Sequence, residues 1–73
     1  MSAARVFCAV CDLGRATSVD ISERTGIPIR SVRRHLDRMD REESIRMCGY
    51  VPNPRWTEDG REPRWLQQWE VSD

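Results

Sequence analysis

Arg30, Arg33 and Arg34 stand close together in the stretch ATSVDISERTGIPIRSVRRHLDRM. A guanidinium is planar, permanently charged and able to donate two parallel hydrogen bonds. Three of them within five residues suit one kind of chemistry above others, the gripping of phosphate oxygens and the edges of guanine bases. All twelve basic residues of the chain are arginine, and none is lysine. A GC-rich coding sequence would give the same bias, so position along the chain carries more weight than the count. Between Arg24 and Met39 five arginines face a single acid, Asp37. The carboxylates gather elsewhere, at Asp40, Glu42, Glu43, Glu58, Asp59, Glu62, Glu70 and Asp73. A formal net charge of zero thus hides a basic segment able to attract a polyanion.

Other residues with chemistry to offer are less well grouped. His35 with Cys8, Cys11 and Cys48 could compose a three-cysteine, one-histidine zinc site. Cys8 and Cys11 lie three apart, a spacing that also suits small core residues on a helix, and no second Cys-x2-Cys follows. Three cysteines are an odd number and argue against a disulfide framework. A redox role for Cys8 or Cys11 lacks a neighbouring activating base. Trp56, Trp65 and Trp69 could stack on bases. Trp65 and Trp69 fall on one strand face, which favours a role as lids over the first and third helices. Trp56, beside Arg55 in a loop, is left with three options: a groove contact, a dimer contact or packing on its own hairpin. Nucleophile elbows, phosphate-binding glycine loops and metal-binding helix motifs are missing from the sequence. The expectation is therefore a non-enzyme without metal or cofactor.

The elements that must position the arginines can be read from period and punctuation. Residues Ser2–Leu13 predict a first helix with Val6, Val10 and Leu13 on one face and Phe7 beside them. Gly14 stops it. Thr17 and Asp20 form a capping-box pair, with Asp in place of the usual Glu. They open a second helix over about Ser18–Thr25, with Val19 and Ile21 inward. Gly26 ends it, Ile27 tucks under the turn, and Pro28 opens a third helix over roughly Ile29–Glu42. At 100° per residue Val32, Leu36 and Met39 share one face, with Ile29 and His35 at its edges. Arg30, Arg34, Asp37 and Arg41 lie opposite, and Arg33 sits on the flank. After Glu43 the period becomes two. In IRMCGYV, Ile45, Met47 and Val51 point one way and Arg46, Cys48 and Tyr50 the other. VPNPRWTEDGREP reads as a loop. RWLQQWEV alternates again, with Trp65, Trp69 and Val71 inward. The two strands and their loop predict a β-hairpin.

Length and composition set bounds. At 73 residues and 38% hydrophobic content, the chain supports one small α+β core, read as a single domain over 1–73. Such a core supplies only about 3–5 kcal/mol. No apolar run reaches the roughly 18 residues needed to span a bilayer. The opening MSAARVFCAVCDLG is too short and interrupted for a signal peptide, so a cytoplasmic location is expected.

Helix, helix, turn, helix and hairpin, in that order, resemble a winged helix-turn-helix domain. The segment GIPIRSVRRHLDRMDREESIR is similar to the Gly-Ile turn, recognition helix and wing entry of bacterial regulators such as the arsenic-sensing repressors and the multiple-antibiotic-resistance regulators. Two positions depart from those families: Pro28 stands where Ser or Asp is common, and no glycine occurs near Ser44. The resemblance implies that the third helix enters the major groove of double-stranded DNA while the hairpin, the wing, touches backbone or minor groove. By position it assigns base and phosphate contacts to Arg30, Ser31, Arg33 and Arg34. It assigns wing contacts to Arg61 and Arg64, and phosphate contacts to Thr17 and Ser18. The expected function is a sequence-specific regulator of transcription, a repressor of bacterial or phage type, associated with the nucleoid while bound. A homodimer on paired half-sites is compatible with this reading, as is a monomer on tandem sites. The length leaves no ligand-sensing domain, so no small-molecule ligand is expected. Two rival roles remain open, a winged module that docks proteins and an accessory DNA-binding protein in replication or excision.

Overall fold

The computed structural model describes residues 2–72. Met1 and Asp73, the two ends of the expected single domain, lie outside the described residues. Three helices precede two strands: α1 over Ser2–Leu13, α2 over Ser18–Thr25, α3 over Ile29–Arg41, β1 over Ile45–Pro52 and β2 over Trp65–Val71. The fold class is α+β, as the sequence predicts. No helix among the described residues is long and apolar enough to cross a membrane.

Local chemistry sets the helix boundaries. The Thr17 hydroxyl accepts from the Asp20 N–H at 3.1 Å, and the Asp20 carboxylate accepts from the Thr17 N–H at 3.1 Å. This closes the capping box at the start of α2 and satisfies two donors that would otherwise lack partners. Gly26, at φ 76°, ends α2 in the left-handed conformation, and its N–H bonds the Ser22 carbonyl at 2.9 Å. Pro28 is the N-cap of α3 rather than its first helical residue. Its carbonyl accepts from the Ser31 and Val32 N–H groups at 2.9 and 3.0 Å. The missing N–H of proline costs nothing there, because the N-cap N–H makes no helical bond.

The exit from α3 is less comfortable. Ser44 N–H bonds the Met39 carbonyl and Glu43 N–H the Asp40 carbonyl, each at 3.0 Å. These two bonds compose a Schellman motif, which puts its C′ residue in the left-handed region. Here that residue is Glu43, at φ 61°. The glycine common in similar sequences is absent from the place where the backbone calls for one.

The core sits between the three helices and the base of the hairpin. Val6, Ala9, Val10, Ile21, Val32, Leu36, Met39, Ile45 and Trp69 belong to one buried cluster, with Phe7 and Val71 against it. Two expectations are corrected here. Leu13 is 40% exposed, because it is the last residue of α1 and lies past the end of the core; Ala9 takes the inward place one turn earlier. Cys8 and Cys11 are exposed, so they are not core residues of α1.

The strands pair antiparallel, with Ile45 opposite Val71 and Pro52 opposite Trp65. A register shift between Met47 and Gly49 leaves Cys48 as a bulge. The extra residue inverts the alternation beyond it. Tyr50 therefore shares a face with Met47, and Val51 moves to the other face, against the simple period-two reading. Ala16, between α1 and α2, adds a one-residue third strand. Its N–H and carbonyl bond the carbonyl and N–H of Trp69 at 2.9 and 2.8 Å. These bonds tie the wing base to the helices beside the buried Trp69 indole.

Glycine at position 43 should relieve the strain of a left-handed side-chain residue. Glu43→Gly is expected to raise unfolding free energy by about 0.5–1 kcal/mol. That corresponds to a melting temperature higher by roughly 2–8 °C in a domain of this size. Thermal denaturation followed by circular dichroism reads the change, and an unchanged or lowered midpoint refutes the assigned strain.

Candidate nucleic-acid interface

The rotation of α3 about its axis decides which side chains reach outward. Val32, Leu36 and Met39 are buried, which turns Arg30, Arg33 and Arg34 to the exposed side. Ser31 and His35 lie half-buried at the edges. Along the outward face the charge is polarised. Arg30, Arg33 and Arg34 occupy the N-terminal half with no acid among them, while Asp37, Asp40, Glu42 and Glu43 outnumber Arg38 and Arg41 toward the C-terminal end.

Ion pairing separates the arginines into two groups. Toward the C-terminal end of α3, Arg41 pairs with Asp37 and Arg38 with Glu42. Elsewhere Arg24 pairs with Asp12, and Arg46 and Arg15 share Glu70. Arg5 donates to the Thr25 carbonyl at 2.7 Å, binding α1 to the end of α2. Arg30 and Arg34 make no ion pair among the described residues, and neither do Arg55 and Arg61 in the loop. Exposed guanidinium groups without a carboxylate partner are the ones free to take a phosphate. They fall on the N-terminal half of α3 and on the wing.

Arg33 differs from its neighbours. Its guanidinium reaches the Glu62 carboxylate in the wing loop at 2.9 Å, with both side chains partly exposed. The carboxylate one turn along the same helix, Asp37, is held by Arg41 instead. The pair spans 29 residues of sequence, and nothing in local spacing signals it.

The wing loop, residues 53–64, is organised by Asn53, which is buried at 6% exposure. The Asn53 side-chain amide donates to the Pro63 carbonyl at 2.7 Å, and its side-chain oxygen accepts from the Arg55 N–H at 2.9 Å. Its own N–H bonds the Arg64 carbonyl at 2.9 Å, and its carbonyl accepts from the Trp56 N–H at 3.1 Å. One residue thus anchors both arms of the loop. Arg64 lies over the Trp56 ring, 5.1 Å from its centroid, a cation–π contact. Of the three options for Trp56, the structure provides packing on its own hairpin.

Between α3 and the hairpin runs an open cleft. Arg33, Arg34, Asp37 and Asp40 line it from α3 and Ser18 from α2, with Tyr50, Trp65 and Gln67 on the strands. The expected lid role of Trp65 is corrected here. Its side chain is 54% exposed, whereas Trp69 is 7% exposed. Tyr50, 60% exposed, is its neighbour on the same face of the hairpin. In the outer half of the hairpin the buried residue is Leu66, at 4% exposure, on the face opposite Trp65, so the parity that buries Trp69 no longer means burial there.

The remaining expected contacts divide. Arg61 is exposed in the loop. Thr17 and Ser18 are buried, at 3% and 7% exposure, and the Thr17 side chain is occupied as the cap of α2. Capping and burial remove Thr17 from the outer surface, while Ser18 still borders the cleft. Cys48 donates to the Gln68 carbonyl at 3.4 Å. No group of three or more His, Cys, Asp and Glu side chains able to hold a metal occurs among the described residues. The features that the sequence reading missed are Asn53, Glu62 and the exposed Tyr50–Trp65 pair. The Pro-Asn-Pro run was a turn signal for the first; the others needed the strand register.

A helix pair, a third helix with an exposed basic side and a hairpin beside it now stand in a fixed arrangement. The chain has the winged helix-turn-helix fold. Comparison of solved structures supports this directly. BpsR of Bordetella bronchiseptica, a protein whose DNA binding is regulated by 6-hydroxynicotinic acid, superposes with a TM-score of 0.68 at 20% identity, over 97% of this chain and 46% of BpsR. A cysteine-to-serine mutant of MarR from E. coli gives 0.67 at 18% identity, over 97% of this chain and 45% of MarR. The chain thus spans a little under half the length of these two proteins. No protein-family model and no curated protein gave a significant sequence match.

Asn53→Ala removes the donor to Pro63 and the acceptor for Arg55 together. Losing hydrogen bonds at a buried group costs about 1–3 kcal/mol. The expected result is faster amide exchange at Arg55, whose N–H loses its acceptor, and at Trp56, with the α3 amides little changed. Equal protection in variant and parent refutes the anchoring role.

Proposed function

We propose that this chain binds double-stranded DNA sequence-specifically, with α3 in the major groove and the wing loop on the backbone or in the adjacent minor groove. The observation that carries the reading is the partition of the arginines. Those on the N-terminal half of α3 and in the wing loop are exposed and largely without carboxylate partners, while those elsewhere are mostly paired. Arg30, Ser31, Arg33 and Arg34 supply the groove contacts, and Arg61 and Arg64 the wing contacts. Ser18 faces the phosphate that crosses the cleft; Thr17 acts behind it by fixing the start of α2. At the C-terminal end of α3 both arginines are already paired with carboxylates, which favours entry by the N-terminal half.

The biological role that fits is a bacterial or phage regulator of transcription acting as a repressor by occlusion. Residues 1–73 serve as one DNA-reading unit in the cytoplasm, associated with the nucleoid while bound. Two copies on a two-fold symmetric site would place their α3 helices about 34 Å apart, one turn of duplex. No catalysis, cofactor or small-molecule ligand enters this mechanism. BpsR is regulated by such a molecule, and adding 6-hydroxynicotinic acid to the binding assay tests whether that property extends to this chain.

A second reading, a winged module that docks proteins, draws on the exposed Tyr50 and Trp65. Titration of a random-sequence duplex at two salt concentrations separates the two. DNA binding requires affinity that falls steeply with salt, by about 0.9 logarithmic units per logarithmic unit of salt for each phosphate neutralised. Binding that is absent or insensitive to salt selects the protein-docking reading.

Arg30→Ala with Arg34→Ala should weaken duplex binding at least tenfold and lower the salt slope by nearly two units if each neutralises one phosphate. Their exposure keeps the expected change in melting midpoint small. Unchanged affinity in the folded double variant refutes the assigned face. Selection of bound duplexes from a random pool then returns the preferred site and its symmetry.

A further inference from the structure

The ion pair between Arg33 and Glu62 places a carboxylate on a guanidinium that the DNA-binding reading assigns to the duplex. Glu62 belongs to the wing loop and Arg33 to α3, and their charged atoms meet at 2.9 Å. Two features of the structure give Arg33 this partner. Asp37, one turn further along α3, is occupied by Arg41. The adjacent Pro63 carbonyl is held by Asn53 at 2.7 Å, which fixes the loop beside Glu62. Arg30 and Arg34, on either side of Arg33, carry no such carboxylate among the described residues. Within the N-terminal half of α3, a single guanidinium is therefore masked by the protein's own wing.

We infer that Glu62 is an intramolecular competitor of DNA for Arg33, and that it makes this arginine engage only where the duplex offers more than a lone phosphate. The inference rests on the DNA-binding reading above. Its physical basis is the similarity of the competitors. Carboxylate and phosphate present the same kind of anionic oxygen to a guanidinium, so exchanging one for the other yields little. A guanine edge presents two acceptors in the geometry that a guanidinium fork matches, and such a contact discriminates between bases. Glu62 thus suppresses random binding more than it suppresses binding at the right base pair. It acts through Arg33 as a specificity-determining residue and need not touch DNA.

The test is a double-mutant cycle with parent, Glu62→Gln, Arg33→Ala and the double variant, each titrated with a random-sequence 20-base-pair duplex at low and moderate salt. Exposed ion pairs are weak, so Glu62→Gln is expected to tighten random binding by about two- to fivefold. It should also steepen the salt slope by nearly 0.9, as Arg33 gains a phosphate. In the Arg33→Ala background the gain should vanish, because its recipient is gone. Glu62→Ala, which removes the amide that could still hold Arg33, should give at least as large a gain; melting curves check that every variant is folded. Unchanged or weaker binding by both Glu62 variants overturns the inference and makes Glu62 a support for the wing. An equal gain with and without Arg33 also overturns it, showing Glu62 to act as bulk negative charge. Failure of the parent and all folded variants to bind duplex at low salt sinks the DNA-binding reading as well.

Discussion

Burial of one stripe on α3 constrains everything else at the interface. Val32 and Leu36 lie at 0% and 2% exposure, and together with Met39 they fix the helix in rotation. A helix has one such freedom once its axis is placed, and a change of 100° moves each side chain to its neighbour's direction. With that stripe held by Val6, Val10, Ile21 and Trp69 in the same cluster, Arg30, Arg33 and Arg34 have no route inward. Their outward position follows from apolar burial, and the arginines themselves contribute little to the fold.

The wing is placed by a different set of bonds. Ala16 and Trp69 exchange two backbone hydrogen bonds, and the indole of Trp69 sits in the core. The base of the hairpin is therefore fixed to the same body that fixes α3. In its outer half the Cys48 bulge changes the facing of the strand and Asn53 organises the tip. With its base bonded to the helices and its tip separately organised, the loop stands at a set distance from α3. Tyr50 and Trp65 are exposed because the buried side of the outer half is the one that carries Leu66.

Charge is organised on the same plan. The C-terminal half of α3 neutralises itself through pairs one turn apart, Arg38 with Glu42 and Arg41 with Asp37. Such pairs contribute only a few tenths of a kcal/mol each to a helix. Their larger effect is to leave the N-terminal half as the unneutralised basic end. A chain of zero net charge can in this way carry a local field suited to a polyanion.

Much of this was readable from sequence, because helices are determined by short-range rules. The capping pair Thr17–Asp20, the stop at Gly26 and the 3.6-residue period of Val32, Leu36 and Met39 all act within one or two turns, so the three helix positions and the outward face of α3 follow from the residues alone. The hairpin was legible as an element but not in its facing. A bulge inverts alternation without leaving a mark in a seven-residue pattern, so Val51 read as sharing a face with Ile45 and Met47; Trp65 read as a lid because it shares the parity of the buried Trp69. Leu13 misled for a related reason: its place on a helical wheel is fixed locally, but the length of the core above it is not. Contacts between distant segments were beyond sequence reasoning. The partner of Arg33 is chosen by which carboxylate the assembled wing brings within reach, and Asp37, the partner that spacing favours, is taken by Arg41. Sequence thus determined which side chains point outward from α3. Tertiary structure decided which of them meet, because that depends on the relative placement of elements that no local period records.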